Sequence, residues 1–297
     1  MTSPERDSER PPVTTRADHP DLLEVDGLAV RYGDSARRAV NDVTFAVRAG
    51  ERVAIVGESG SGKTTLALAL AGFLVDPSAD ISARSIRFDG HTLTRRVSVG
   101  VPRKTSGLTM VFQDAMTSLD PVWTIGSQFH AVMRNAPSRV PKNERRTRID
   151  YWLDRVGLRD HDRVLGAKPY ELSGGMRQRA MLALALCGRP RMLIADEPTS
   201  ALDASLARDV MDLMVELTEE SRTALLIVTH DIELCQQYAD RVLVMLEGNM
   251  VDDIPVNELG YGNRHPYTEG LLRCTPTLGS ANLDFLPTIA AAERATW

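Results

Sequence analysis

Cysteine is scarce in this chain, and the little there is has no pattern. Cys187, Cys235 and Cys274 are odd in number and show neither disulfide nor metal-ligand spacing. That excludes a disulfide scaffold, and three scattered thiolates cannot build the four-thiolate cage an iron–sulfur cluster normally takes. They read as buried or inert thiols in a reducing cytosol. Also missing is any apolar run near the ~18–20 residues of a membrane span, and the opening residues are too polar for a signal peptide. Positive charge is not in excess: 35 Lys and Arg against 40 Asp and Glu leave a net charge of −5. That balance speaks against nucleic acid as the main partner. No internal repeat is visible. What remains is 297 residues with 43% apolar and 25% charged side chains, the make-up of a soluble globular protein. This length holds one large α/β domain with an appendage, or two small domains.

The most informative stretch is RVAIVGESGSGKTT at 52–65. A short apolar run breaks into glycines and then into the helix-forming LALALA, so a buried strand, a turn and a helix start follow one another. G-x-x-x-x-G-K-T lies across the junction. Gly57, Gly60 and Gly62 let backbone N–H groups turn inward around an oligophosphate, with Ser59 and Ser61 between them. The helix terminus behind, with Thr65, adds unpaired N–H groups and partial positive charge. Lys63 supplies a point charge for the outer phosphates, and Thr64 a hydroxyl for Mg²⁺. The bland alternative, a Gly/Ser surface loop with a chance lysine, is weakened by the strand before it and the helix after it. This is a nucleotide site.

The rest of the chain arranges itself around that loop. Residues 1–20 are charged and nearly free of large apolar side chains, and read as a disordered tail. Stretches 22–25, 28–32 and 39–47 read as short alternating strands of an antiparallel layer. Tyr32 offers an aromatic face to a nucleotide base; the residues alone favour an ordinary tyrosine packed at a sheet edge. Strands follow at 83–90 and 108–112, the second capped by Gln113, at a strand end where α/β sheets place ligand contacts. Residues from about 115 to 180 read as an inserted helical subdomain, with helices at 124–133 and 144–158 and proline joints between. It ends at LSGGMRQR, where Ser173 is a natural N-cap and Gly174 and Gly175 open a helix. That is an ordinary capped helix, or a second helix terminus facing phosphate.

A buried strand, 191–195, then runs into Asp196 and Glu197. Two carboxylates at the end of an apolar strand are costly in a core; in a nucleotide enzyme Asp196 helps hold Mg²⁺ and Glu197 orients and deprotonates water. The helix after SALD carries Leu206, Val210, Leu213, Met214 and Leu217 as a packing stripe. The strand 224–228 ends at Thr229-His230-Asp231. A lone histidine is usually structural or exposed, yet this one again stands at a strand end, where it can contact a γ-phosphate. Two short strands with a Gly248-Asn249 turn fill 241–252, and residues 261–297 form a C-terminal extension.

Taken in order, GESGSGKTT, VFQD, LSGGMRQR, MLIADEPTSALD and IVTHD resemble the Walker A, Q-loop, signature, Walker B with D-loop, and H-switch of an ABC-type ATPase subunit. The resemblance covers roughly residues 22–272. VFQDAMTSLDP, the LSGGMRQR form of the signature and HPYTEGLL are similar to the importer subfamily for di- and oligopeptides, which includes nickel, metallophore and glutathione importers. Two departures stand out. Asp120 occupies a position where that subfamily usually has Asn, and the Cys-rich C-terminal segment of many relatives is absent.

The resemblance implies a fold: a P-loop ABC-type ATPase core over 21–260 with an antiparallel β layer and the helical insertion. It also implies that two such subunits, identical or sister chains, close head to tail around two ATP molecules. Each nucleotide then lies between one chain's phosphate loop and the other's Ser173, Gly174 and Gly175, with Asp203 of the D-loop in the nucleotide-binding set. Thr64, Gln113 and Asp196 organise Mg²⁺ and water, Glu197 is the base, and His230 senses the γ-phosphate. Two transmembrane permease subunits and, indirectly, an extracytoplasmic solute-binding protein are the implied partners, without nucleic acid. The implied location is the cytoplasmic face of the cell membrane. One alternative is an accessory ATPase of a soluble assembly, such as the phosphonate carbon–phosphorus lyase system. Another is a DNA-repair or translation ATPase, but no zinc hook, long coiled coil or tandem ATPase domain is present.

Overall fold

The computed structural model describes residues 21–93, 105–112, 118–136, 140–200, 202–262 and 264–274. Its centre is a six-stranded sheet of β3 (Arg52–Val56), β7 (Leu108–Val111), β8 (Met192–Asp196), β9 (Ala224–Thr229), β10 (Arg241–Leu246) and β11 (Asn249–Pro255). The order is β11-β10-β3-β9-β8-β7, parallel from β10 to β7, with β11 antiparallel at the edge. These strands are apolar on both faces because both faces are covered. Alternation divides them cleanly: Val53, Ile55, Met192, Ile194, Leu226 and Val228 join one core, and Ala54, Val56, Leu193, Ala195, Leu225 and Ile227 the other. The registers Val56↔Thr229 and Asp196↔Val228 bring the carboxyl ends of β3, β9 and β8 level. The phosphate loop, the carboxylate pair and His230 all leave from that one edge.

The first core is closed by α1 (Lys63–Ala71) and an antiparallel layer of β1 (Asp21–Tyr32), β2 (Val40–Arg48), β4 (Ala79–Ser82), β5 (Ser85–Phe88) and β6 (His91–Thr92). The two short strands expected at 22–25 and 28–32 are one strand. Gly27, at φ 64°, absorbs a register shift between Val25 and Leu28 where a break was read. β4, which the sequence does not announce, is short and, among the described residues, pairs with the far end of β1 alone.

The second core is closed by helices. α2 (Ile125–Asn135) starts at Thr124, whose hydroxyl accepts from the Ser127 N–H. α3 (Arg145–Arg155) buries Ile149, Trp152 and Leu153, the face read from the sequence, and stops short of the expected 158 at Gly157, φ 74°. A short helix not foreseen, α4 (His161–Gly166), is capped by Asp160. α5 (Gly174–Cys187) follows and packs on α2, α3 and α6 (Ala204–Ser221). α7 (Ile232–Tyr238) and α8 (Pro266–Cys274) complete the described helices. The turn between β10 and β11 is Glu247-Gly248, both at positive φ, and not Gly248-Asn249. Asn249 is already in β11, its side-chain amide accepting from Asn41 at 2.8 Å. No described helix is long and apolar enough to cross a membrane.

Candidate nucleotide site

The glycines of the phosphate loop are fixed by space as well as by φ. A Cβ on Gly57 would sit 2.2 Å from the Met245 carbonyl oxygen, and one on Gly62, at φ 102°, 2.1 Å from that of Ala39. The loop is pressed between β10 and the start of β2, so its N–H groups have one way to face. Lys63 opens α1 and is only 6% exposed. Its Nζ donates to the Gly57 carbonyl at 2.7 Å, the Glu58 carbonyl at 2.9 Å and Ser61 Oγ at 3.5 Å, spanning the loop from inside. Burial pulls its pKa down, while Glu197, Asp196 and Glu58 hold it up. Ser59 and Gly60 face solvent, and Ser61 is buried beneath them.

The carboxylates stand across from this cation. Asp196 Oδ1 accepts from Thr64 Oγ1 at 3.1 Å, so a hydroxyl and a carboxylate converge in front of the loop. Glu197 holds φ 48°, a conformation rare for a residue with a Cβ, and its N–H is fixed to the Val228 carbonyl at 2.8 Å. Such strain survives where the surroundings impose it, and it is enriched at working sites. The turn aims Glu197 back along the sheet edge, where Oε1 meets His230 Nδ1 at 2.9 Å. A proton on Nδ1 satisfies that contact, and the residue as a whole is exposed.

The other expected residues divide into those that meet this cluster and those that stand apart. Tyr32 ends β1 half-buried, with Oη 3.3 Å from Thr65 Oγ1, so it does reach the loop's far shoulder. Ser173 caps α5 through the Met176 N–H at 3.3 Å, and with Gly174 it faces solvent, the half-buried Gly175 behind. Asp203 caps α6, accepting from the Ser205 and Leu206 N–H groups. Gln113 lies outside the described residues.

Comparison with known proteins places the chain in a family. A family model described as ABC transporter matches residues 40–200. The dipeptide transport ATP-binding protein DppD of Escherichia coli (strain K12) is 40% identical over 259 residues, covering 86% of this chain and 78% of that one. The oligopeptide transport ATP-binding protein AppD of Bacillus subtilis (strain 168) is 39% identical over 260 residues, covering 86% and 79%. Among solved structures, cbiO1 from Clostridium perfringens, part of the ABC transporter complex cbiONQ, has a TM-score of 0.65 at 30% identity, covering 81% of this chain and 90% of that one. The ATP-binding cassette MJ0796, solved as a dimer bound to ADP and Pi, shares the fold at a TM-score of 0.63 and 24% identity, covering 79% and 99%.

The chain belongs to the ABC transporter family. As an ABC ATPase it binds nucleotide and hydrolyses ATP. Two residues around the site of this ABC subunit escaped the sequence reading. Gln178, buried in α5, points Nε2 at the Pro198 carbonyl at 3.5 Å and so joins the signature helix to the carboxylate turn. Tyr267 reaches the phosphate loop from the far end of the chain. The stretch HPYTEGLL is itself one of the marks of the resemblance, and only the fold discloses the contact.

Asp196 yields a prediction on stability. Burial pushes its pKa up, helped by the Glu197 charge and opposed by the Thr64 hydroxyl and Lys63. A carboxyl whose folded pKa lies above its unfolded one is ionised at a cost to the fold. That cost is absent below the unfolded pKa and fully present above the folded one. Asp196→Asn, measured with a chelator and without nucleotide, is therefore expected to melt higher than wild type at pH 7. A rise of a few degrees is the scale expected of one side chain in a chain of this size. The gap should close as the pH falls through the carboxylate range; a variant that melts lower at pH 7 would contradict this reading of the site.

Proposed function

We propose that this ATPase subunit powers uptake of peptides or related small solutes, and that the cluster at the sheet edge is its catalytic centre. The observation that carries the chemistry is the level ends of β3, β8 and β9, which set Lys63, the Asp196–Glu197 pair and His230 on neighbouring turns. In this proposal the amides of Gly60 to Thr65 and the Lys63 ammonium hold the β- and γ-phosphates of ATP. Glu197 takes the proton from the attacking water, and His230, fixed by its Nδ1 contact, presents Nε2 to the γ-phosphate. The converging Thr64 hydroxyl and Asp196 carboxylate are hard oxygen donors of the kind Mg²⁺ takes, and the ion, held there with Gln113, would neutralise charge between the β- and γ-phosphates. A second ATPase subunit, identical or a sister chain, would bring its own Ser173–Gly175 terminus and Asp203 to the same nucleotide.

Cargo and partners rest on the kinship with peptide-transport ATP-binding proteins. Permease subunits would dock near Gln113 and Asp120. Beside Asp120, Val122 and Trp123 are 72% and 57% exposed, an apolar lip of the kind a protein partner covers. Asp120 itself makes a local turn, its carboxylate accepting from the Val122 N–H at 2.8 Å. An Asn oxygen would do the same, so the departure from Asn leaves the lip's backbone unchanged. The subunit would then sit on the cytoplasmic face of the membrane without entering it.

Coexpression tests this directly. The chain is expected to sediment with membranes only when its permease partners are made alongside it, and Trp123→Glu should release it. Stable copurification with soluble enzymes and no membrane protein would favour the accessory-ATPase alternative.

A further inference from the structure

Tyr267 is fully buried, yet its hydroxyl oxygen accepts a hydrogen bond from the Glu58 N–H at 2.8 Å, across 209 residues of sequence. That N–H belongs to the Gly57–Glu58 peptide unit. The carbonyl of the same unit accepts from Lys63 Nζ at 2.7 Å. In a trans peptide the N–H and C=O point in opposite directions, so Tyr267 and Lys63 grip one peptide plane from its two sides. Gly57 cannot back away, because the Met245 carbonyl already fills the place of a Cβ.

The tyrosine is itself held. Asp252, on the edge strand β11, accepts from the His265 N–H at 3.0 Å and from the Thr268 hydroxyl, pinning the start of α8. His265 Nδ1 accepts from the Tyr267 N–H at 3.2 Å. His265 and Tyr267 then share with Glu58, Ser59, Gly60 and Ser61 the wall of a cleft of about 490 Å³.

We propose that Tyr267 is a positioning residue for ATP binding: it locks the Gly57–Glu58 peptide, and through that peptide sets the Lys63 ammonium and the amides that follow. This rests on the reading of 57–65 as the phosphate-binding loop. Turning the plane would move the carbonyl that braces Lys63 and carry the next N–H groups off their common focus. A loop that must be ordered at each binding event binds more weakly than one already in place. Helix α8 would thus belong to the nucleotide site through the loop it holds in place.

The test is Mg²⁺–ADP binding to the full chain by calorimetry, well below the melting temperature, for wild type, Tyr267→Phe and Lys63→Ala. Phenylalanine keeps the buried ring and removes only the hydroxyl. The dissociation constant is expected to rise about five- to tenfold in Tyr267→Phe, the size of one hydrogen bond lost. A residue that served only the core would lower the melting temperature and leave the dissociation constant of the folded protein alone. An unchanged constant in Tyr267→Phe, with Lys63→Ala failing to bind, overturns the positioning role and spares the loop. Normal binding in Lys63→Ala overturns the phosphate-loop reading, and the proposal with it.

Discussion

Glu197→Gln is expected to lower ATP turnover by about 10²–10⁴ while ATP binding survives. The substitution keeps the size of the side chain and an oxygen for His230 at the 2.9 Å contact, and removes basicity. The backbone should hold its place, because the strained turn is fixed by the Glu197 N–H to the Val228 carbonyl. Lys63, Thr64 and Asp196 are untouched, so the nucleotide still enters. With the hydrolytic step slowed, ATP should accumulate in a closed dimer that wild type passes through. Turnover assays beside size-exclusion chromatography with ATP check both halves. Normal turnover would remove Glu197 from the role of base.

Ser173→Arg carries the second large effect, with the opposite dissection. Ser173 and Gly174 open α5 in solvent, where the helix N-terminus offers N–H groups to an anion. In the head-to-tail arrangement that anion is the neighbouring chain's γ-phosphate. A bulky cation there would block closure over that nucleotide and remove the capping hydroxyl from the Met176 N–H. Hydrolysis by the assembly is expected to fall to near background. The chain's own affinity for Mg²⁺–ADP should stay within about twofold of wild type, since its phosphate loop is intact. Cap loss alone costs about 1 kcal/mol, too little to explain an unfolded protein.

The contrast between Glu197 and Tyr267 shows how far the sequence reaches. Glu197 could be placed at the sheet edge from sequence because Asp196-Glu197 closes an apolar strand, and strand ends in a parallel sheet meet at one edge. His230 stands at a strand end too, whereas Lys63 is singled out by the glycine-rich turn between a strand and a helix. Tyr267 could not be, since no period or spacing links it to Glu58, and only the folding of α8 against β11 brings them together. Gln178 was hidden likewise, inside a signature motif whose signal lies in Ser173 and its glycines. Smaller misses were local. Gly27 reads as a strand break, but at φ 64° it lets one strand continue through a bulge. The turn after β10 was set one residue late because Gly-Asn is as good a turn signal as Glu-Gly is a poor one. Glu247 tolerates φ 52° there while Asn249 is drawn into β11 by Asn41.

A shared catalytic site is the centre of the account, and one mixed dimer tests it. Glu197→Gln and Ser173→Arg copies under different tags are coexpressed, and the dimer carrying both tags is isolated. If each nucleotide lies between one chain's loop and the other's signature turn, one composite site carries both lesions. The other then has an intact Glu197 and an intact Ser173. Provided one working site suffices, the mixed dimer should hydrolyse ATP at up to half the wild-type rate, although neither variant does so alone. If Ser173 serves its own chain's nucleotide, each site carries one lesion. The mixed dimer would then be as inactive as its parents, and the head-to-tail sandwich would be wrong for this protein.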